Sequence, residues 1–477
     1  MLSSRRLIPS LLLGLGGILA LNACSQKTTS GVTSDQKAPQ PAQAAKVATY
    51  QVPVDYFTLD NGLKVVLSPD KTAPKVVVAV YYGVGFRNEP RNRTGYAHLF
   101  EHLMFQGSQN LPKGEFDKIV QSSGGINNGS TRFDFTNYFE IVPSHKLETL
   151  LWVEGDRMRS VALTPASLEN QQGVVKNEVK VNVLNQPYGG FPWLDMPQYA
   201  NKNWHNAHNF YGDLKDLDAA TLEDAESFFK TFYAPNNAAL VVVGDFTPAE
   251  AKTWIKKYFD SIPKATLPAK VDLTEPRQEK EQRFTKDDKL ATKPALAFAY
   301  HMPDKNTPEY YAMGLLDQIL IQGKDSRLYQ ALVQERGYTG SVSGGINSGL
   351  GNMFNYNGPM LWDGSLVYDK NVSTDSVVAV LDREIQKLDK EGVSQELLDL
   401  AIVKMRSRLY DQVSQLYGFG KADLLASFAL FENDPKRINQ LESEFRKVTP
   451  ELIQKTLREY LRPTNRTILT INPLAKS

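Results

Sequence analysis

Gly95-Tyr96-Ala97-His98-Leu99-Phe100-Glu101-His102-Leu103-Met104-Phe105 places two imidazoles and a carboxylate on one short apolar segment that reads as helix. Residues four apart on an α-helix stand one above the other on the same face, so His98 and His102 can each turn a ring nitrogen toward a single metal ion. Glu101 lies beside them, close enough to hold a metal-bound water yet free not to be a ligand, as a general base should be. A two-histidine site needs a third protein ligand and leaves a fourth position for water, the open arrangement of a hydrolytic zinc. That third ligand is expected to be a carboxylate on a second element, and Glu178 is the best candidate.

The chain around this segment has 477 residues, 42% hydrophobic and 22% charged, with a formal net charge of +1. It is too long for one ordinary core and has the balance of two or more soluble globular domains. Near-neutral charge and the absence of a basic run with interleaved aromatics argue against nucleic acid as a partner.

The N-terminus has its own logic. Arg5 and Arg6 precede an apolar stretch from Leu7 to Leu21, then Leu21-Asn22-Ala23-Cys24. This is the layout of a secretory signal, and it is similar to a bacterial lipoprotein signal, with residues 1–23 removed and Cys24 lipidated. An ordinary signal peptide with an incidental cysteine is the alternative. Cys24 is the only cysteine, so no internal disulfide exists. Residues 24–48 are rich in Ser, Thr, Gln, Ala and Pro and read as a flexible tether. By analogy with Gram-negative lipoproteins, Ser25 after Cys24 leans toward the outer membrane and the periplasm-facing side of the cell envelope.

Ordered structure is expected from residue 49. Phe57-Thr58-Leu59 and Leu63 to Leu67 flank Asp60-Asn61-Gly62 as a hairpin, Lys75 to Gly83 is a third strand, and Thr131 to Val142 has a strand pattern. Thr164-Pro165 is a helix start, with Thr164 as cap, and the pattern runs to about Leu184 with Glu178 on it. Ala238 to Val243 closes the first half as a strand. Residues 263–289 are rich in Pro, Lys and Glu and read as a linker. Beyond it the plan repeats: Ala234-Pro235-Asn236-Asn237 before one strand is echoed by Arg462-Pro463-Thr464-Asn465 before another. This predicts an α+β chain of two homologous domains, 49–262 with the metal motif and 290–475 without it, each a mostly antiparallel sheet packed with helices.

The order H-x-x-E-H is the signature of the inverzincins, and the chain resembles the pitrilysin/insulinase family of zinc metallopeptidases over nearly all of residues 50–475. In that family a glutamate within V-V-x-x-E completes the site, and Val174-Val175-Lys176-Asn177-Glu178 matches it. The resemblance implies one Zn2+ per chain held by His98, His102 and Glu178, with Glu101 as base. Gly124-Gly125-Ile126-Asn127-Asn128-Gly129 is similar to the family's glycine-rich turn and edge strand, where the residue matching Asn128 holds the backbone of a peptide substrate. Such pairing needs little common sequence among substrates. A plain turn role for Asn128 is the alternative. His205 and His208 can also ligate a metal by type, but the family match assigns them to a loop instead.

The chain departs from the pattern in two respects. Where the family commonly has a second glutamate two turns before the ligand, this chain has Gln171, which can hydrogen-bond near the metal ligands but adds no charge; a helix-surface role is the alternative. Where active members often carry an Arg and a Tyr that grip substrate across the chamber, it has Val333 and Gly340. The expectation is therefore a zinc-dependent endopeptidase whose Arg/Tyr clamp comes from a companion family subunit in a heterodimer. A homodimer, and a non-catalytic tethered subunit of the same fold, are the alternatives.

Overall fold

The computed structural model describes residues 51–474; the expected signal peptide, Cys24 and the whole of the tether lie outside them. The first half builds one sheet from β1 (Asp55–Thr58), β2 (Lys64–Pro69), β3 (Lys75–Tyr82), β4 (Ile126–Thr131), β5 (Thr136–Pro143) and β6 (Ala238–Gly244), in the order β1-β2-β6-β3-β5-β4. The second half builds another from β7 (Gln282–Asp288), β8 (Ala295–His301), β9 (Ser343–Ile346), β10 (Leu361–Val367) and β11 (Arg466–Pro473), in the order β7-β11-β8-β10-β9. One pair in each is parallel, β2 with β6 and β7 with β11, and the others are antiparallel. From β2 onward the two sheets thus share order and sense, and the α+β architecture is repeated.

The repeat extends to detail. Asn237, in the turn before β6, donates from Nδ2 to the Phe232 carbonyl at 2.9 Å, and Asn465, before β11, donates to the Tyr460 carbonyl at 2.8 Å. In both halves the asparagine satisfies a carbonyl that the end of the preceding helix leaves without a partner.

β3 shows why a sheet forms here. Its sequence Lys-Val-Val-Val-Ala-Val-Tyr-Tyr is apolar on both faces. Val76, Val78, Val80 and Tyr82 enter the core beneath the motif helix, Tyr96–Leu103. Val77, Ala79 and Tyr81 enter the core shared with the second half. A strand buried on both faces needs a near-continuous apolar run rather than alternation. The covering element on the second face is the helix Phe419–Glu432, where Asp423 accepts the Tyr81 hydroxyl at 2.9 Å and Phe419 stacks on Phe139 at 3.8 Å.

Two expectations need correction. The Thr131–Val142 pattern is not one strand: the chain turns over Arg132–Phe135, and β4 begins five residues earlier, in the polar run Ile-Asn-Asn-Gly-Ser-Thr. β4 is an edge strand, so it needs no apolar alternation to be stable. The second sheet also starts inside the stretch read as linker, because β7 is another polar edge strand, half-exposed along its length, whose pairing with β11 no local pattern announces.

Candidate metal centre

The motif helix Tyr96–Leu103 is one wall of the site. Tyr96, Ala97, Leu99, Phe100 and Leu103 are buried and fix its rotation, which leaves His98, Glu101 and His102 on one side. The second wall is the helix Pro165–Val179, whose last turn continues as a wider turn over Lys180–Leu184. Thr164 caps it, accepting the Ser167 N–H at 3.0 Å, with Pro165 at the first helical position, as the sequence predicts. Buried Leu168, Gln171 and Val175 then set the face on which Glu178 arrives.

Those two walls bring three ligand side chains together. Nε2 of His98 and Nε2 of His102 are 3.3 Å apart, Glu178 Oε2 lies 3.2 Å from the His102 nitrogen, and Glu178 Oε1 lies 3.7 Å from that of His98. In a tetrahedral zinc site with bonds of ~2.0–2.1 Å, neighbouring ligand atoms are separated by roughly 3.3 Å. A donor set of two imidazoles and one carboxylate at this spacing fits that ion. Among the described residues, His98, His102 and Glu178 form the one cluster of at least three such groups close enough to share a metal.

The electrostatics point the same way. Burial, helped by His102, pushes the His98 imidazole down to about 4, so it is neutral and able to bind a metal. Burial also works against charge on His102, but Glu178, Glu101 and the Gln171 side chain outweigh it and raise its pKa. The His102 hydrogen bond holds Glu178 below the ordinary glutamate range, so Glu178 is ionised.

Glu101 is not in the ligand cluster. Burial raises its pKa, and a hydrogen bond from Thr131 Oγ1 to Oε2, at 2.7 Å, opposes that shift. Gly129 stands against the same side chain, and a Cβ there would meet Glu101 Cγ at 3.2 Å. Strand alternation puts Gly129 and Thr131 on the face toward the motif helix and Asn128 on the other. Asn128 is exposed, and its Oδ1 accepts the Gly129 N–H at 2.9 Å. The geometry thus places the edge strand, but not the Asn128 side chain, beside Glu101.

Gln171 is buried at 5% exposure and reaches His102, so it belongs to the site's surroundings rather than to the helix surface. His205 and His208 are engaged elsewhere, His205 with the Arg87 carbonyl at 2.9 Å and His208 with Glu89 at 3.3 Å. Sequence reasoning missed Thr131 and Tyr211. The Tyr211 hydroxyl donates to Glu178 Oε1 at 3.2 Å from across 33 residues of chain. Thr131 was within reach, since a strand begun at Ile126 would have placed it two positions from Gly129 on one face.

The second half carries the same layout with other chemistry. Gly314-Leu315-Leu316-Asp317-Gln318-Ile319-Leu320 follows β8 as His98-Leu99-Phe100-Glu101-His102-Leu103-Met104 follows β3. Gly345 on β9 faces Asp317, its Cβ position 3.3 Å from Oδ1, as Gly129 faces Glu101. The helix Gln395–Ser414 stands for Pro165–Val179 and presents Arg408, 3.5 Å from Asp317, where the first half has Glu178. A guanidinium replaces a carboxylate, and both histidines are gone. Val333 is half-buried, and Gly340 is exposed with open space around its Cβ position.

Comparison with known proteins follows this division. The family model described as insulinase, peptidase family M16, matches residues 64–206, and the one described as peptidase M16 inactive domain matches residues 219–405. The chain is 27% identical over 431 residues to the zinc protease PqqE of Helicobacter pylori, an alignment covering 87% of this chain and 92% of that one. The crystal structure of a protease from Helicobacter pylori superposes with a TM-score of 0.79 at 25% identity, covering 89% of this chain and all of that one. The periplasmic protease PqqL from Escherichia coli shares the fold, with a TM-score of 0.72 at 18% identity; 88% of this chain covers 48% of that one.

Proposed function

Because the chain belongs to the pitrilysin/insulinase family of peptidases, family M16, we propose that it is a zinc-dependent endopeptidase of the bacterial cell envelope that hydrolyses extended peptides. His98, His102 and Glu178 hold the metal, one per chain. The observation that carries this reading is the convergence of two imidazole nitrogens and the Glu178 carboxylate, with one donor atom from each within 4.8 Å of the others, and with the Glu101 carboxylate beside but outside the cluster.

A bound zinc ion would supply Lewis acidity, lowering the pKa of water and polarising a scissile carbonyl. The remaining work belongs to the chain. Glu101 takes the proton of the attacking water and hands it to the leaving amine. Its raised pKa favours holding that proton between the two transfers, and the Thr131 hydrogen bond keeps the ionised form accessible. Among the described residues β4 is paired only with β5, so its outer edge offers backbone donors and acceptors to a peptide lying antiparallel or parallel to it. Asn128, on that edge strand, steadies the peptide backbone from the exposed face.

The partner is a second family subunit that brings the Arg/Tyr clamp absent at Val333 and Gly340, making a heterodimer; a homodimer is the competing assembly. PqqL, about twice as long, is what such a pair would look like if joined. Cys24 anchors the chain by lipid on the periplasmic side of the envelope, and the basic-then-apolar N-terminus supports that location. A non-catalytic subunit of the same fold is favoured by one observation, the missing clamp.

The deciding experiment uses purified chain with and without its co-purifying companion, a peptide library, and a chelator. Chelator-sensitive cleavage that Glu101→Gln abolishes while zinc content stays at one per chain supports the peptidase. Zinc binding with no cleavage under either condition supports the non-catalytic reading. Chain alone cleaving as fast as the pair removes the heterodimer.

A further inference from the structure

The motif helix begins without a cap of its own, since Gly95, at the N-cap with φ of 82°, has no side chain to offer. The first N–H groups of a helix have no partner within it and must find one outside. Glu89 provides it. Its side chain is wholly buried, Oε2 accepts the Gly95 N–H at 2.9 Å, and Oε1 accepts the Ala97 N–H at 2.8 Å. Ala97 is the residue before the first metal-binding histidine.

Glu89 Oε2 also lies 3.3 Å from Nε2 of His208. The other ring nitrogen of His208 is 3.0 Å from the Trp204 carbonyl oxygen, and a carbonyl only accepts, so Nδ1 carries a proton. Nε2 thus faces the same Glu89 oxygen that receives the Gly95 N–H, so one hydrogen bond links the ring to the carboxyl group that caps the motif helix. The ring cannot turn away: it stacks on Trp204, with centroids 4.2 Å apart and planes 9° from parallel, and meets Phe86 edge-on. Three residues after His208 comes Tyr211, whose hydroxyl holds Glu178.

One carboxylate therefore ties the start of the helix that carries His98 and His102 to the loop that orients Glu178. We infer that Glu89 and His208 are a positioning pair for the metal centre, setting the distance between the two-histidine helix and the third ligand without touching the metal. This rests on the metal-site reading above, and it gives a role to a loop histidine that the ligand cluster leaves out.

The test measures zinc affinity by competition with a chromogenic chelator, and the thermal midpoint of the metal-free protein, on the full chain in detergent. Glu89→Gln and His208→Gln are each expected to weaken zinc binding about 10- to 100-fold, the range for groups that orient metal ligands. The double variant should lose no more than the worse single one, because both act through one contact. Asp423→Ala is the comparator, a buried group on the far face of the first sheet: it should lower the thermal midpoint and leave zinc affinity unchanged. Unchanged affinity in both single variants overturns the inference. So does an equal loss in Asp423→Ala, which would make the effect one of general stability. If Glu89→Gln does not fold, His208→Gln decides alone. A wild type that binds zinc no better than His98→Ala removes the metal centre itself, and the inference with it.

Discussion

Thr131 donates a hydrogen bond from Oγ1 to Glu101 Oε2 at 2.7 Å, so the last residue of the edge strand rests on the carboxylate proposed as the base. Burial raises the Glu101 pKa, and this bond favours the ionised form. Removing the donor with Thr131→Val lets the pKa climb further. A base must be ionised to act, so activity is lost sooner as pH falls: the acidic limb of the kcat/KM profile moves to higher pH. On the acidic limb kcat/KM should drop about tenfold at a given pH, the effect of one hydrogen bond to a charged group of ~1.5 kcal/mol. An unmoved acidic limb would show that Thr131 only packs.

Gln171 stands where a second glutamate is common in the family, and it is buried against His102. Gln171→Glu adds a negative charge beside a ligand without changing side-chain length. Zinc affinity should rise about tenfold, within the range known for partners of metal-binding histidines. Chelator competition on the two proteins reads this directly. Equal affinity together with an equal peptidase rate would reduce Gln171 to a filler of the helix interface.

The parts that were legible in the sequence share a physical cause, short-range periodicity. His98 and His102 sit one helical turn apart, Thr164 and Pro165 mark where the second helix starts, and counting turns from there puts Glu178 on a defined face. β3 announced itself through an unbroken apolar run. β4 and β7 did not, because edge strands are stabilised by pairing on one side and tolerate polar sequence. Tyr211 reaches Glu178, and Glu89 reaches His208, across long stretches of chain where no spacing rule links them, and Thr131 could be found only from a strand begun at Ile126. Asn128 was legible by resemblance alone, and the alternation of β4 is what shows which face it occupies.

Gly340 has no heavy atom within 4 Å of its Cβ position, and its backbone is not left-handed. A tyrosine there is expected to fit without strain, and an arginine at half-buried Val333 can extend its charged end to water. Val333→Arg/Gly340→Tyr should therefore change stability by no more than ~0.5 kcal/mol. If these positions are the missing clamp, the variant should cleave peptides without its companion, and faster than the wild-type chain alone. A well-folded variant whose solitary activity is unchanged would show that the clamp is built elsewhere.

Arg87 and Asp134 join the two halves. Arg87 Nη1 pairs with Asp134 Oδ2 at 3.0 Å, with side chains 2% and 7% exposed, and the guanidinium covers the Phe133 ring at 4.5 Å. From the second half, the Asn357 N–H donates to the same Asp134 oxygen at 2.7 Å, and Arg87 Nη2 donates to the Pro359 carbonyl. Asp134→Ala leaves a buried guanidinium without its counter-charge and the Asn357 N–H without an acceptor. Breaking a buried pair in this way costs ~3–5 kcal/mol, whereas replacing both partners with apolar residues can be nearly neutral. Urea unfolding should show Asp134→Ala strongly destabilised and Arg87→Met/Asp134→Leu recovering much of the loss. Incomplete recovery is expected, because the double variant still strands the Asn357 N–H and the Pro359 carbonyl at the seam. A cost below ~1 kcal/mol for Asp134→Ala, the size of a surface pair, would mean that water reaches this contact and that the halves are held by their shared apolar core instead.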